Sequence, residues 1–597
     1  MQLLNGRLIL SPSDLNDHVE CEHLTTLKRQ VACGDRKRPH VPDEATDLLR
    51  RKGEQHEAAY LAELRAAGRE VVDVRAADPW DFDTAARNTE RAMRDGVDVI
   101  YQATFADGGW RGRADFLERV ARPTTLGAWG YEPLDTKLAR TEKPTYVLQL
   151  CFYSDGIARV QGEPPERMHV LLGIGERRTL RHDDFAAYFR RVRASFEAAV
   201  AGRRATEPYP VEHCGLCDFR GVCDEWWSQQ DHLSLVANIR RDQTLRLADA
   251  GLTTLTHLAT APPDAPVDLA PHTFETLREQ AELQRIRGTT GDLTWRLIPP
   301  EPGRGFALLP RASTGDIVFD IEGHPFWEPS RGLHFLLGLW TTEGREDAPV
   351  GYHAFWAHDR AEERRAFEAL IDFFTERLAR HPDMHVYHYG AYEPAAIKQL
   401  MSVYATREDA VDALLRRETF VNLLTVVRQA LRAGVPSYSL KETEKLADFA
   451  RKADVASGTR AVLEYERWMD DRAESRLEAI RVYNEEDCRA TLALRDWLLR
   501  QRPASTPWPE TAEQKEIDEE TLAEREALRR ALVDGTAEGS PRWLAGELLA
   551  YHRREARPVW WWSFARMQLS LDELFEDAES IARLERAGRA RPDKQSM

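Results

Sequence analysis

The spacing of apolar and polar positions divides this chain into stretches that read as strands and helices. Gly112-Arg-Ala-Asp115-Phe-Leu and Tyr131-Glu-Pro-Leu-Asp135-Thr-Lys137-Leu predict two adjacent strands joined by a turn. Further on, Asp316-Ile-Val-Phe-Asp320-Ile-Glu322 reads as a buried strand, with Phe335–Trp340 and Val350–Trp356 as its neighbours. A helix from Ala361, a strand at Met384–His388 and several more helices follow, which is an α/β pattern. Between these regions, Leu245–Ala259 has a helix–Gly turn–helix pattern, readable as a helix-hairpin-helix or as a simple connector pair. Proline-rich stretches lie at 261–266 and 299–302, and the second reads as a domain boundary. From 503 on the pattern is charged and helical, and the Trp560-Trp-Trp562 run within it is expected to be buried in a small helical cap. The expected architecture is therefore α/β and multidomain: a first domain over 1–228, a helical connector over 229–300, a second domain over 312–502 and a helical tail over 503–597.

Composition narrows the function classes. The chain has 597 residues, enough for several cores. No apolar run is long enough to span a bilayer, and Met-Gln-Leu-Leu-Asn-Gly-Arg-Leu lacks signal-peptide design, so a cytoplasmic location is expected. A net charge of −17 argues against a protein coated in nucleic acid but leaves room for a local basic track. One such track, Glu176-Arg-Arg-Thr-Leu-Arg-His with Phe189-Arg-Arg-Val-Arg, is read mainly as a solvated face. Seven cysteines in so long a chain do not make a disulfide framework, whereas Cys214-x-x-Cys217 followed by Cys223 has metal-site or redox-pair spacing.

Two sets of side chains carry candidate chemistry. On a strand, residues i and i+2 share a face, so Asp135 and Lys137 point together and Asp115 on the neighbouring strand can join them. Two carboxylates suit Mg²⁺ or Mn²⁺, and a lysine beside them can orient water and offset phosphate charge. Asp320 and Glu322 likewise share a face, and two acids on an apolar strand are costly unless they bind metal. Glu393, where a strand end runs into a helix, and Tyr483 and Asp487, one helical turn apart, can complete that second set.

In order with His56, Gln149 and Tyr153, the first set resembles the RecB-type nucleases of the PD-(D/E)xK superfamily. The resemblance implies a restriction-endonuclease-like fold. It implies a metal ligand at His56, although Gly53-Glu-Gln-His56 is one residue tighter than the family's spacing. It also implies a DNA-contacting helix motif at Gln149 and Tyr153. RecB-like nucleases with one early and three late cysteines carry a [4Fe–4S] cluster, which implies ligands at Cys21, Cys214, Cys217 and Cys223. Thiolates suit zinc as well, so zinc remains the alternative. Cys33, Cys151 and Cys488 are expected to be small core residues.

The second set resembles the DEDD exonucleases of the ribonuclease H-like superfamily, in the subgroup with a Tyr-x-x-x-Asp motif. That resemblance implies two divalent metals on Asp320, Glu322 and Asp487, with Tyr483 orienting water. It departs at Glu393, where the family has aspartate. Ser439-Leu-Lys441 matches a Ser-Leu stretch of that group, or a plain helix N-cap. The two modules in this order resemble bacterial RecB-like nucleases fused to a ribonuclease H-like exonuclease domain, some of which continue into a helicase. No G-x-x-x-x-G-K-[ST] loop is present, so no ATP binding is expected in this chain, and a helicase partner is. The resemblance implies a metal-dependent DNA exonuclease acting on single-stranded ends in DNA processing or repair. The alternative is a nucleic-acid-binding subunit with little catalysis that serves a helicase.

Overall fold

The computed structural model describes residues 1–39, 44–202, 206–328, 331–342, 351–452, 457–509, 519–549 and 551–567, together with 569, 574–575, 577 and 580–581. Among the described residues the strands form four sheets.

The chain opens with a small hairpin, β1 (Gln2–Leu4) and β2 (Arg7–Ile9), and two helices, α1 (Pro12–Glu20) and α2 (Glu22–Cys33). A capping box starts α1: Ser11 and Asp14 bond reciprocally to each other's backbone. Next come α3 (Glu44–Ala66), β3 (Val71–Asp73), α4 (Phe82–Asp95), β4 (Val99–Asp107), β5 (Trp110–Val120) and β6 (Gly130–Lys137). They are followed by α5 (Pro144–Gln161), β7 (Arg167–Leu172), β8 (Arg177–Arg181), α6 (His182–Val200) and α7 (Arg220–Gln229). Strands β3 to β8 form one sheet in sequence order, antiparallel from β4 through β6 and parallel between β6 and β7. β6 is buried along almost its whole length, as a central strand covered on both faces must be. Gly112 lets α1 and α5 press on β5, because a Cβ there would meet Phe152 at 2.4 Å and Pro12 at 2.9 Å.

The connector contains α8 (Arg241–Asp249), α9 (Leu255–Ala259) and α10 (Pro271–Thr290). Gly251, at φ 83°, makes the turn between the first two, as the helix–Gly–helix pattern predicts. Its last strand, β9 (Trp295–Leu297), pairs with β15 (Leu431–Ala433) of the second domain. The end of the connector is thus stitched to the domain after it.

The second domain runs through β10 (Ile317–His324), β11 (Leu333–Thr341), β12 (Gly351–Trp356), α11 (Arg360–Arg380), β13 (Val386–His388), α12 (Tyr392–Tyr404), α13 (Glu408–Arg416) and β14 (Phe420–Asn422). Then come α14 (Leu423–Ala430), β15, α15 (Leu440–Thr443), α16 (Gly458–Asp471) and α17 (Glu474–Gln501). Its sheet has the order β12-β11-β10-β13-β14, with the first three antiparallel and β13 and β14 parallel to β10. The predicted strands fall here, although Val350 lies outside the described residues. Two apolar clusters, one on α11 and α12 and one on α14 and α17, cover opposite faces of the sheet.

The tail holds α18 (Glu519–Val533), α19 (Pro541–Leu548) and α20 (Tyr551–Met567). Trp560 and Trp562 are exposed there, against the expectation of burial, although α20 lies against α12 and α19. Cys33 is also exposed, at the last turn of α2, while Cys151 and Cys488 are buried as expected. Among the described residues no helix is long and apolar enough to cross a membrane.

Candidate functional site: two carboxylate centres and a cysteine cluster

The first centre lies where β5 meets β6. Phe116 pairs with Leu134, which sets Asp115 and Asp135 as near neighbours across the ladder. Asp115 donates its N–H to Asp135 Oδ1 (3.3 Å), and its own Oδ2 accepts from the N–H and hydroxyl of Thr136 (2.8 Å each). Lys137 Nζ lies 3.1 Å from Asp135 Oδ2. Burial, then the Asp135 charge, push the Asp115 carboxyl up to about 7. Burial works against the Lys137 ammonium, but Asp135 and Asp115 outweigh it and hold its pKa above the ordinary value. The predicted triad is therefore assembled, and each charge depends on the others.

The surrounding residues are placed less closely. His56, on α3, turns its Nε2 to the carbonyl of Leu171 at 3.3 Å, next to the β6–β7 pairing. It does not close with Asp115 and Asp135 to the spacing of a compact ligand group among the described residues. Gln149 and Tyr153 meet on one face of α5, with Gln149 donating to the Tyr153 hydroxyl (2.8 Å) and that hydroxyl donating to Arg113 O (2.7 Å). The pair braces β5 two residues before Asp115. Glu57, beside His56, adds negative charge that raises Asp115, and Gln102 holds it in place. Gln102 lies opposite Asp115 in a gap of the ladder, at φ 59°, a left-handed conformation that costs a non-glycine residue of order 1–3 kcal/mol. Sequence reasoning passed over Glu57, although it directly follows the histidine of the motif.

The second centre is tighter. Asp320 and Glu322 on β10 and Asp487 on α17 bring one oxygen each within 4.8 Å of one another. Burial and the neighbouring carboxylates push Glu322 up to about 8 and Asp320 well above the carboxylate range. Burial raises Asp487 too, against the pull of Arg451. Asn484 donates to Asp320 Oδ2 (2.6 Å) and accepts from the Tyr352 hydroxyl (2.7 Å). Tyr483 stands one turn before Asp487, with Lys441 Nζ 5.5 Å and the Arg451 guanidinium 5.9 Å from its ring centre. Glu393 is buried close by and adds to the repulsion on Asp320 and Glu322, but it lies outside the three-oxygen group. Its Oε2 has no hydrogen-bond partner and sits 3.5 Å from an equally unpartnered His388 Nδ1. Crowded carboxylates with raised pKa values and an orphaned buried oxygen are the arrangement a divalent cation relieves.

Arg451 was not legible from the chain. Glu444 grips its Nε and Nη2 at 2.8 and 2.7 Å, Asp487 lies 2.6 Å from Nη2, and Nη1 is buried without a partner. Only the fold brings the segment after α15 against α17. Asn484, by contrast, lies inside the Tyr-x-x-x-Asp motif and could have been noted. Ser439 does stand at the N-cap of α15, although its side chain makes no capping bond.

The four cysteines converge. Cys21 precedes α2, Cys214 and Cys217 flank a short turn, and Cys223 lies in α7. All four line one small void with Leu24, Leu27 and Trp227. Burial pushes Cys223 up to about 12 and raises Cys21 and Cys217, and the other sulfurs add to each shift. Burial therefore keeps these thiols protonated when nothing is bound to them.

The two carboxylate centres lie on two separate α/β domains, and a family model matches each domain. Residues 17–224 match the family model of the PD-(D/E)XK nuclease superfamily, and residues 317–499 match that of the RNase_H superfamily. The chain therefore carries a domain of each. No curated protein matches it. One solved structure, titled "Crystal structure of SSO0001", is similar at 18% identity, covering 34% of this chain and 95% of that one, with a TM-score of 0.15.

Proposed function

We propose that this chain is a metal-dependent DNA nuclease that hydrolyses phosphodiester bonds at single-stranded ends during DNA processing or repair. The observation that carries the reading is the Asp320–Glu322–Asp487 group, three mutually repelling carboxylates held within 4.8 Å on a domain of a nuclease superfamily. In the RecB-like first centre, Asp115 and Asp135 would hold Mg²⁺ or Mn²⁺, with His56 as a further ligand. In the DEDD-like second, Asp320, Glu322 and Asp487 would do so, with Glu393 at the edge. A bound divalent cation supplies Lewis acidity at the phosphate and lowers the pKa of its water. The protein's own groups do the rest. Lys137, fixed on Asp135, keeps its proton at Nζ, offsets phosphate charge and can orient water. Tyr483 orients water beside Asp487. Gln149 and Tyr153 keep β5 in register below the strand.

A [4Fe–4S] cluster at Cys21, Cys214, Cys217 and Cys223 would tie the start of the first domain to its end. Zinc held by the same four thiolates is the alternative. The setting is the cytoplasm, with a helicase as partner. The Arg451–Asp487 contact favours a second reading for the second centre alone, as a binding site of low turnover.

The test uses end-labelled single-stranded DNA with Mg²⁺ and with EDTA. Wild-type protein should degrade the strand only with metal. Asp135→Ala with Lys137→Ala should remove the first-centre component, and Asp320→Ala the second, each by about a hundredfold or more. Undiminished cleavage in both variants would sink the assignment. Tight binding with no turnover under any metal would favour the binding subunit. Anaerobically purified protein should show iron–thiolate absorption near about 400 nm, and a colourless zinc protein would remove the cluster.

A further inference from the structure

The cavity of about 680 Å³ at the mouth of the second centre is walled by both nuclease domains. It is within the roughly 300–1,000 Å³ typical of ligand sites. Leu48 and Leu49 of α3 face it from the first domain, and Tyr392 and Ala395 of α12 from the second. Glu322, one of the three clustered carboxylates, also lines it. Arg140, three residues past Lys137, reaches across the boundary and donates to Pro325 O at 3.2 Å. Ion pairs hold the wall together: Lys52 of α3 lies 2.9 Å from Glu466, and Glu44 takes Arg460 and Arg467 at 3.0 and 2.6 Å.

We propose that this interdomain cavity seats an unpaired nucleotide of a single strand whose scissile phosphate lies at the Asp320–Glu322–Asp487 centre, so that the first domain builds part of the second domain's substrate site. The proposal rests on the nuclease reading and adds to it where the unpaired strand sits and that both domains build the seat. Three features select the ligand. The walls are mostly apolar side chains, which suit the faces of a base. Tyr392 is 52% exposed and offers a ring for stacking. Arg331 in the wall is fixed through Nη2 by Glu363 (3.0 Å) and the Tyr404 hydroxyl (2.8 Å), while its Nη1 is buried without a partner and free to donate to a phosphate or base oxygen. A duplex is too wide for this space, whereas an unstacked nucleotide is not. Arg140 follows the strand that carries Asp135 and Lys137 by three residues and lines the cavity, so a chain lying there meets a cation of the first domain.

The experiment uses the full chain with Ca²⁺ in place of Mg²⁺, so that binding is read without turnover. The probe is a single-stranded oligodeoxynucleotide bearing 2-aminopurine near its end. Wild-type protein should change the fluorescence of the probe as the base enters the cavity. Ala395→Trp and Leu49→Trp fill the space from opposite domains, and each should weaken binding about tenfold or more and abolish the fluorescence change. Arg140→Ala, at an exposed position, should weaken binding without altering the melting temperature, which guards against misfolding in the tryptophan variants. Wild-type affinity and fluorescence in both tryptophan variants would overturn the proposal while leaving the nuclease reading intact. A wild-type protein that binds no oligonucleotide would overturn both.

Discussion

Glu363 shows how a single buried charge shapes a wall of the second site. Its carboxylate accepts from the His334 N–H (2.7 Å) and the Tyr404 hydroxyl, and it pairs with His334 Nδ1, Arg331 and Arg360. Burial raises its pKa, but the hydrogen bonds from His334 and Tyr404 and the Arg331 charge outweigh burial and hold it down to about 2. A carboxyl depressed in the folded state contributes stability that is fully present above its unfolded value near 4.5. That stability is lost as the pH falls toward 2. Glu363→Gln leaves the Arg331 guanidinium without its counter-charge, while Arg360 keeps Glu328 at 2.7 Å, and should cost about 3 kcal/mol at pH 7 in urea unfolding of the second domain. The gap between wild type and variant should close as the pH is lowered from 5 toward 2, and a gap that stays constant over that range would show that the charge carries no such share. Because the same carboxylate fixes Arg331, the variant should also bind single strands less tightly.

At the scale of elements, the second centre depends on how closely α17 crosses the sheet. A Cβ on Gly338 of β11 would lie 1.7 Å from Asn484 Oδ1 and 2.5 Å from the Tyr352 hydroxyl. The helix can approach only because that position has no side chain, and the approach is what brings Asn484 to Asp320 and Asp487 into the carboxylate group. Gly338→Ala should push α17 outward, cost about 1–3 kcal/mol and lower second-centre hydrolysis about a hundredfold, with first-centre cleavage kept. Equal loss at both centres would mean general unfolding instead. Much of this centre was readable, because strand period 2 pairs Asp320 with Glu322 and helix period 3.6 pairs Tyr483 with Asp487. The first centre was readable for the same reason at Asp135 and Lys137. What escaped were contacts made between distant elements: Arg451 against Asp487, Glu57 beside Asp115, and β9 pairing with β15. The exposure of Cys33, Trp560 and Trp562 escaped in the same way, since burial is decided by which neighbour packs and not by residue type.

Across the whole molecule, α3 belongs to both domains at once. Its C-terminal half carries His56 and Glu57 toward the first centre, while its N-terminal half puts Leu48 into the cavity wall and Lys52 on Glu466. Glu466 is also gripped by His324, at the end of the strand that bears Asp320 and Glu322. Burial raises the Glu466 carboxyl, but His324 and Lys52 overcome it and hold its pKa down to about 2. The junction is thus a fixed charge, with a first-domain cation on one side and the second centre's strand on the other. Lys52→Glu would place two carboxylates together in a half-buried position and cost on the order of 1–3 kcal/mol of domain docking. The expected result is a larger radius of gyration in solution and faster proteolysis between the domains. Single-strand binding should weaken, and cleavage assigned to Asp135 and Lys137 should persist. Lys52→Ala, which removes the cation but leaves Glu466 on His324, should loosen the docking in the same direction if the ion pair itself carries the coupling. If Lys52→Ala stays docked, the cavity is held by its apolar walls and by Glu44 with Arg460 and Arg467, and Lys52 only decorates the contact.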